Sequence, residues 1–324
     1  MIKNVVSLIL TLCLFLTGSS FASAAFKDAG REHWAVDEIT YLTGKKVISG
    51  FNDGSFRPQA SVTRLQAMIL MARALNLDLS NRPDPGFKDL SKMNNGYLYA
   101  AAVMDEGLFP KSTYLKPNEP MSRELMARMI VSGFKLKSTK QAGFKDVSAS
   151  YWASPYISAL AEHNITLGYP DGTFRPSATL TRAQFSVFLA KAMNNDYKTF
   201  TFSNQEYRFS IELPNYMSSK VVFEDGMGSA EDDIFSVSFF YDNPSYLGYE
   251  PFAGSIHIIP ASLWYGYYDS APFYLIKKAN GYYYCYQSQS EDPYYPSYNN
   301  TRESRAYMQI HDRLEKAIKN IKVY

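Results

Sequence analysis

An α-helical unit made of three copies of one helix pair, followed by a small α+β domain with an antiparallel sheet and a C-terminal helix, is the fold class predicted by the 324-residue sequence. Three observations carry this reading. A hydroxyl residue followed by arginine opens an apolar run three times, at Thr63-Arg64-Leu65-Gln66, Ser122-Arg123-Glu124-Leu125 and Thr181-Arg182-Ala183-Gln184. Helical spacing stops after Asn194-Asn195, and tyrosine becomes dense. Asn280-Gly281 then separates two β-type runs, the strongest short hairpin signal.

Length and a hydrophobic content of 46% allow two cores, and a net charge of +2 gives no ground for a nucleic-acid partner. Residues 1–24 read as a signal peptide. Lys3 supplies the charged start, residues 5–16 an apolar run too short to span a bilayer, and Ala22-Ser23-Ala24 a small-residue cleavage site before Ala25. Cys13 lies inside that run, so cleavage leaves Cys285 alone and no internal disulfide. No later stretch is long enough for a membrane helix, no cofactor motif occurs, and the mature chain reads as a secreted monomer.

Each copy begins with Phe-Lys-Asp, at Phe26-Lys27-Asp28, Phe87-Lys88-Asp89 and Phe144-Lys145-Asp146. In the first copy Trp34, Ile39 and Leu42 space an apolar face, and Gly44 ends the first helix. Turn chemistry follows over residues 50–58, with Asp53-Gly54 at its centre. Thr63 then N-caps a second helix, with Met68, Leu70, Met71 and Leu75 on or near its buried side. The third copy repeats the scheme with Trp152, Ile157 and Leu160, the loop Asp171-Gly172-Thr173-Phe174-Arg175-Pro176, then Phe185, Phe188, Leu189 and Met193. Gln66 and Gln184 complete capping boxes, whereas Leu125 deprives the middle copy of the reciprocal bond. Helix pairs this short cannot bury their faces alone, so the copies, at residues 25–80, 84–138 and 142–196, must pack on one another.

The arginine is the unexpected choice. In a first turn it meets the positive end of the helix dipole, which costs roughly 0.3–1 kcal/mol. Its recurrence as Arg64, Arg123 and Arg182 points to a use. A helix N-terminus with a guanidinium beside it binds a carboxylate or phosphate.

The Phe-x-Asp starts, the Trp34-Ala35 and Trp152-Ala153 helix starts, the two Asp-Gly loops and the hydroxyl-arginine helix starts together resemble the S-layer homology (SLH) family. The resemblance covers about residues 26–194. It implies three repeats in one pseudo-threefold helical unit. It also implies noncovalent binding of secondary cell-wall polysaccharide, often through a pyruvylated amino sugar, and a secreted protein held at the cell surface. The ligand set it implies is Arg64, Arg123 and Arg182 for the pyruvyl carboxylate, Trp34 and Trp152 as stacking walls, and Asp28, Asp146, Thr63 and Thr181 beside them. Each has a plainer role as well: tryptophan as helix-face core, aspartate as turn residue, threonine as cap. The middle copy departs from the pattern, with Asn95 in place of tryptophan and Lys111-Ser112-Thr113-Tyr114-Leu115 in place of the Asp-Gly loop. On this reading Arg123 matters least, and folding survives loss of any of the three arginines.

Residues 200–324 read as a separate α+β domain. Residues 207–213 alternate and end at Pro214, and further strands fall at 220–224, 235–241, 254–259, 273–279 and 282–287. A helix over 302–321 carries the stripe Tyr307, Ile310, Leu314, Ala317 and Ile321. The alternative is a surface enzyme, a hydrolase or peptidase with its site in this domain. Its nucleophile would be Cys285 with His257 or His311, set against the plainer reading of a buried apolar cysteine. A third reading, a lattice-forming subunit, sits poorly with so small a tail. Glu231-Asp232-Asp233 lacks alternating calcium-ligand spacing, and Tyr282–Tyr286 and Tyr294-Tyr295 are strand formers that also suit sugar stacking.

Overall fold

A computed structural model describes residues 26–30, 33–227, 235–241, 251–262, 264, 273–288 and 302–324. The signal-peptide segment 1–24, Glu231-Asp232-Asp233 and Tyr294-Tyr295 lie outside the described residues. Among the described residues six helices come first: α1 (Val36–Gly44), α2 (Arg64–Ala74), α3 (Tyr97–Asp105), α4 (Arg123–Gly133), α5 (Ser154–Glu162) and α6 (Arg182–Met193). The second helix of each pair starts at its hydroxyl cap. Thr63 Oγ1 accepts from Gln66 N and Thr181 Oγ1 from Gln184 N, and both capping boxes are complete. Ser122 caps α4 through Leu125 N without the reciprocal bond. Gly44 is the last residue of α1, but the left-handed residue that closes the helix is Lys46 (φ 58°). Gly107 (φ 68°) and Asn164 (φ 55°) do the same for α3 and α5, and each lets the next N–H reach back to an open helical carbonyl.

The pairs do not fold on themselves. α1 packs on α6, α3 on α2 and α5 on α4, while α2, α4 and α6 touch one another. Between them Met121 N donates to Val62 O (2.8 Å), Leu180 N to Met121 O (3.0 Å) and Val62 N to Leu180 O (3.0 Å), a closed ring of three buried residues. Backbone groups taken from water are thereby satisfied across all three pairs at once. One hydrophobic cluster runs from Ala29 to Ala190 through every pair.

The second core lies between Phe209 and Ile321. A three-stranded antiparallel sheet holds β1 (Thr199–Asn204), β2 (Phe209–Pro214) and the short β8 (Lys322–Val323) in the order β1-β2-β8. A five-stranded antiparallel sheet holds β3 (Val221–Met227), β4 (Phe235–Tyr241), β5 (Phe252–Pro260), β6 (Phe273–Ala279) and β7 (Tyr282–Ser288), in the order β3-β4-β5-β7-β6. The Asn280-Gly281 turn has positive φ at both residues, 54° and 81°, and joins β6 to β7 as its sequence demands. Helix α7 (Arg302–Lys319) buries Tyr307, Ile310, Leu314 and Ile318. The stripe thus continues through Ile318, and Ala317 sits only partly buried at its edge.

Candidate functional site

Each loop between paired helices is fixed by the aspartate that opens its copy. Asp28 accepts from Phe56 N (2.6 Å) and Arg57 N (2.8 Å), and Asp89 from Leu115 N (2.8 Å) and Lys116 N (2.7 Å). Asp146 accepts from Phe174 N (2.8 Å) and Arg175 N (2.7 Å). Desolvation pushes Asp28 upward, but the backbone donors outweigh it and hold the carboxyl below its ordinary value. The second residue of each N–H pair, Arg57, Lys116 or Arg175, sits at a positive φ of 57–59°. Gly50 and Gly168 let these loops press on the opening phenylalanine, since a Cβ at either position would lie 2.4 or 2.3 Å from the ring of Phe26 or Phe144. Both oxygens of Asp28 and of Asp146 are therefore occupied by backbone. They shape the loop through these bonds. Thr63 and Thr181 are likewise occupied as helix caps.

The arginines reach across to the next pair. Arg64 Nη1 donates to Leu115 O (3.1 Å), Arg123 Nε to Phe174 O (2.7 Å) and Arg182 Nε to Phe56 O (2.9 Å). The first pair thus holds the loop of the second, the second that of the third, and the third that of the first. In each loop one residue gives its N–H to its own aspartate and its C=O to a foreign arginine. Arg123 and Arg182 are only 5% and 8% exposed. Both therefore sit in the packing between pairs, a placement the helix dipole alone does not predict.

What remains of each guanidinium differs. Arg182 also donates through Nη2 to Ser49 O (3.1 Å), and Arg64 Nη2 is paired with Glu119 Oε2 (2.9 Å). Arg123 donates through Nε alone, so among the described residues both of its terminal nitrogens are without a protein acceptor. Its guanidinium carbon lies 4.9, 4.4 and 5.2 Å from the ring centres of Tyr169, Phe174 and Phe188, an aromatic box that holds a cation in place.

Arg123 lines a cleft of about 230 Å³ with Trp34, Tyr169, Gln184, Lys191 and Glu212. The tryptophan of the first copy, the arginine of the second and the loop of the third meet there. The loss of tryptophan and of the Asp-Gly loop from the middle copy thus leaves the surroundings of Arg123 intact, since its neighbours come from the other two copies. Trp34 is 43% exposed and Trp152 44%, so both indoles stand on the surface, while Ala35 and Ala153 fill the core behind them. Tyr169, Lys191 and Glu212 escaped sequence reasoning. Tyr169 was findable as the third-copy counterpart of Phe51; Glu212 lies in another fold and carried no signal. Two larger hollows of about 550 and 610 Å³ border the connection from α4 to α5, and neither is lined by a helix-start arginine.

In the five-stranded sheet Cys285 stands opposite His257 in the β5–β7 register, but it is fully buried, in a small cluster with Ile259 apart from the second core. Burial pushes it up to about 12, which keeps it protonated and unreactive at neutral pH. His257 Nε2 lies 2.7 Å from Ser255 Oγ and 3.0 Å from Gln287 Oε1, and His311 Nε2 lies 3.0 Å from Ser288 Oγ. Among the described residues no three metal-ligating side chains converge, and no helix is long and apolar enough to cross a membrane.

The family model of the S-layer homology domain matches residues 25–68 and 143–186, the first and third copies. An S-layer protein of Bacillus thuringiensis subsp. finitimus is 31% identical over 178 residues, covering 52% of this chain and 21% of the relative. The S-layer protein sap of Bacillus anthracis is 32% identical over 178 residues, with the same coverage of 52% and 21%. An uncharacterized cell wall amidase of Bacillus anthracis is 31% identical over 165 residues, 49% of this chain and 30% of the relative. The chain thus spans between a fifth and a third of the length of these relatives. Both ends of its helical half match the S-layer homology domain, and the matches mark it as a secreted protein associated with the cell wall or cell surface.

Proposed function

We propose that the helical half anchors the protein noncovalently to the bacterial cell surface by binding cell-wall polysaccharide, with the Trp34–Arg123–Tyr169 cleft as its principal site. The middle helix pair is read as a third, diverged repeat, so that residues 25–80, 84–138 and 142–196 make one pseudo-threefold unit and residues 200–324 a domain displayed outside the cell. The directed cycle of arginine–carbonyl bonds supports that arrangement.

The single observation that carries the ligand reading is the open guanidinium of Arg123 beside a half-exposed indole. Two free N–H-bearing nitrogens suit the carboxylate of a pyruvylated amino sugar, and the indole face suits its ring. Arg182 has one terminal nitrogen committed, and Arg64 is neutralised by Glu119, so the order of importance is Arg123, then Arg182, then Arg64. Titration calorimetry of the full chain with purified cell-wall polysaccharide, before and after mild acid removes the ketal-linked pyruvate, tests this. Binding that falls at least about tenfold on depyruvylation, the scale of one charge-assisted contact, is the expected result. Equal binding of both preparations would refute the carboxylate reading.

A further inference from the structure

The alternation of β2 buries Phe209, Ile211 and Leu213 in the second core and turns Glu212 to the opposite face. Helix α7 fixes what that face meets. Arg313, on its flank, donates through Nη1 to Trp34 O (2.5 Å) and through Nη2 to Glu38 Oε1 (2.7 Å), and its Nε lies 3.6 Å from Asp37 Oδ2. The Tyr216 hydroxyl donates to Asp37 Oδ2 (3.3 Å), and Lys191 Nζ to Thr199 Oγ1 (2.7 Å). Glu38 is almost fully buried, so separating it from Arg313 would strand a charge away from water. The C-terminal fold is thus fastened to residues 34–38, and Glu212 joins Trp34, Arg123 and Lys191 in lining one cleft. Lys322 Nζ pairs with Glu212 Oε1, leaving Oε2 without a protein partner among the described residues.

We infer that Glu212 is a specificity-determining residue of this cleft: its Oε2 accepts hydrogen bonds from hydroxyl and amide groups of a bound amino sugar, and its negative charge, set beside the cations Arg123 and Lys191, lowers the affinity for polyanions. The cleft therefore favours a singly carboxylated saccharide over phosphodiester polymers. This rests on the polysaccharide reading above. Arg123, Lys191 and Glu212 line one cleft of about 230 Å³, so the charges of all three act on whatever enters it.

The test uses the full chain and two probes, cell-wall polysaccharide carrying ketal-linked pyruvate and glycerol-phosphate teichoic acid, by calorimetry at about 0.1 M salt. Glu212→Gln keeps the size and the polar contacts and removes the charge. It should lower the preference for the polysaccharide over teichoic acid about tenfold, the scale of one partly screened charge contact. Lys322→Gln strips Glu212 of its counter-charge and should raise that preference. Opposite movements cannot come from a general loss of fold, which circular dichroism checks in parallel. Preferences within about twofold of wild type in both variants, with wild-type binding still dependent on Arg123, would overturn the role of Glu212 and leave the polysaccharide reading standing. Wild-type protein that binds teichoic acid as tightly as the polysaccharide would overturn it too. Failure to bind the pyruvylated polysaccharide at all would remove both readings.

Discussion

Arg182→Ala separates a ligand-only arginine from one that also holds the fold. The side chain is 8% exposed and donates to two carbonyls of the first pair, Phe56 O and Ser49 O. Bonds from a charged donor contribute about 1.5–3 kcal/mol each, and the Arg182 guanidinium carbon, 5.0 and 4.6 Å from the ring centres of Phe51 and Phe56, adds about 1 kcal/mol of cation–π attraction. Against this stand relief of about 0.3–1 kcal/mol at the helix dipole and partial rehydration of the carbonyls. The net loss is about 3 kcal/mol. For a cooperative unit of this size 1 kcal/mol shifts the midpoint by about 2–4 °C, so thermal unfolding of the full chain, followed by the helical dichroism signal, should move down by about 6–12 °C. Arg182→Lys should recover about half, because one ammonium reaches one carbonyl and lacks the planar fork. A midpoint within about 2 °C of wild type for Arg182→Ala would show that neither carbonyl depends on the guanidinium, and the cyclic bracing would fall with it.

Three further outcomes follow. Trp34→Ala, at a position 43% exposed, should leave the melting midpoint nearly unchanged and weaken polysaccharide binding about tenfold, the scale of a lost stacking contact; calorimetry and dichroism on one sample read both. Asp53 is lowered from 3.8 to about 2 by the Ser55 hydroxyl and N–H and by Arg57, and Asp171 is lowered by Thr173 and Arg175. Carboxyls depressed in the folded state add stability that is present above their unfolded value and lost as pH falls through the folded one, so helical signal should fade between about pH 4 and 2, and Asp53→Asn/Asp171→Asn should flatten that loss. Cys285, buried and raised to about 12, should resist iodoacetamide in the native protein and react at once in guanidinium chloride, as mass spectrometry would show.

The helix starts were legible because capping is local: Thr63 and Gln66 find each other within one turn. The β6–β7 hairpin was legible for the same reason, through Asn280-Gly281. Strand β1 was passed over although Phe200 and Phe202 alternate with Thr199, Thr201 and Ser203, and the two-residue β8 was not legible because it exists only through its pairing with Phe209 and Ser210. The cleft was half legible. Trp34 and Arg123 were both singled out, but repeat spacing says which residues correspond between copies and not which copies touch. That is a long-range property, carried by Arg–carbonyl bonds between residues 51 apart, for Arg64 and Arg123, and 126 apart, for Arg182. The backbone partners of Asp28 and Asp146 were not legible, because they lie 28 and 29 residues away.

An arginine in a first turn opposes the helix dipole, and the chain makes that choice three times because each guanidinium is needed elsewhere than on its own helix. Its partner is a backbone carbonyl, which any residue supplies. That explains how the middle copy can hold Leu115 where the other copies hold Phe56 and Phe174 and still be gripped by Arg64, with Asp89 bracing it from the other side. Side chains in the middle loop are therefore free to differ from those of the other copies, whereas the bonds of Asp89 and Arg123 need their side chains. The same logic makes the ring only as strong as its weakest joint. Val62, Met121 and Leu180 close it in sequence, so opening one pair leaves buried N–H and C=O groups of both others unsatisfied. The helical half should unfold in one cooperative transition, and hydrogen exchange should give the amides of Val62, Met121 and Leu180 one common protection free energy. Exchange at Met121 faster than at the other two by more than about tenfold would show that the diverged pair opens by itself, and the closed ring would then not be the unit of stability.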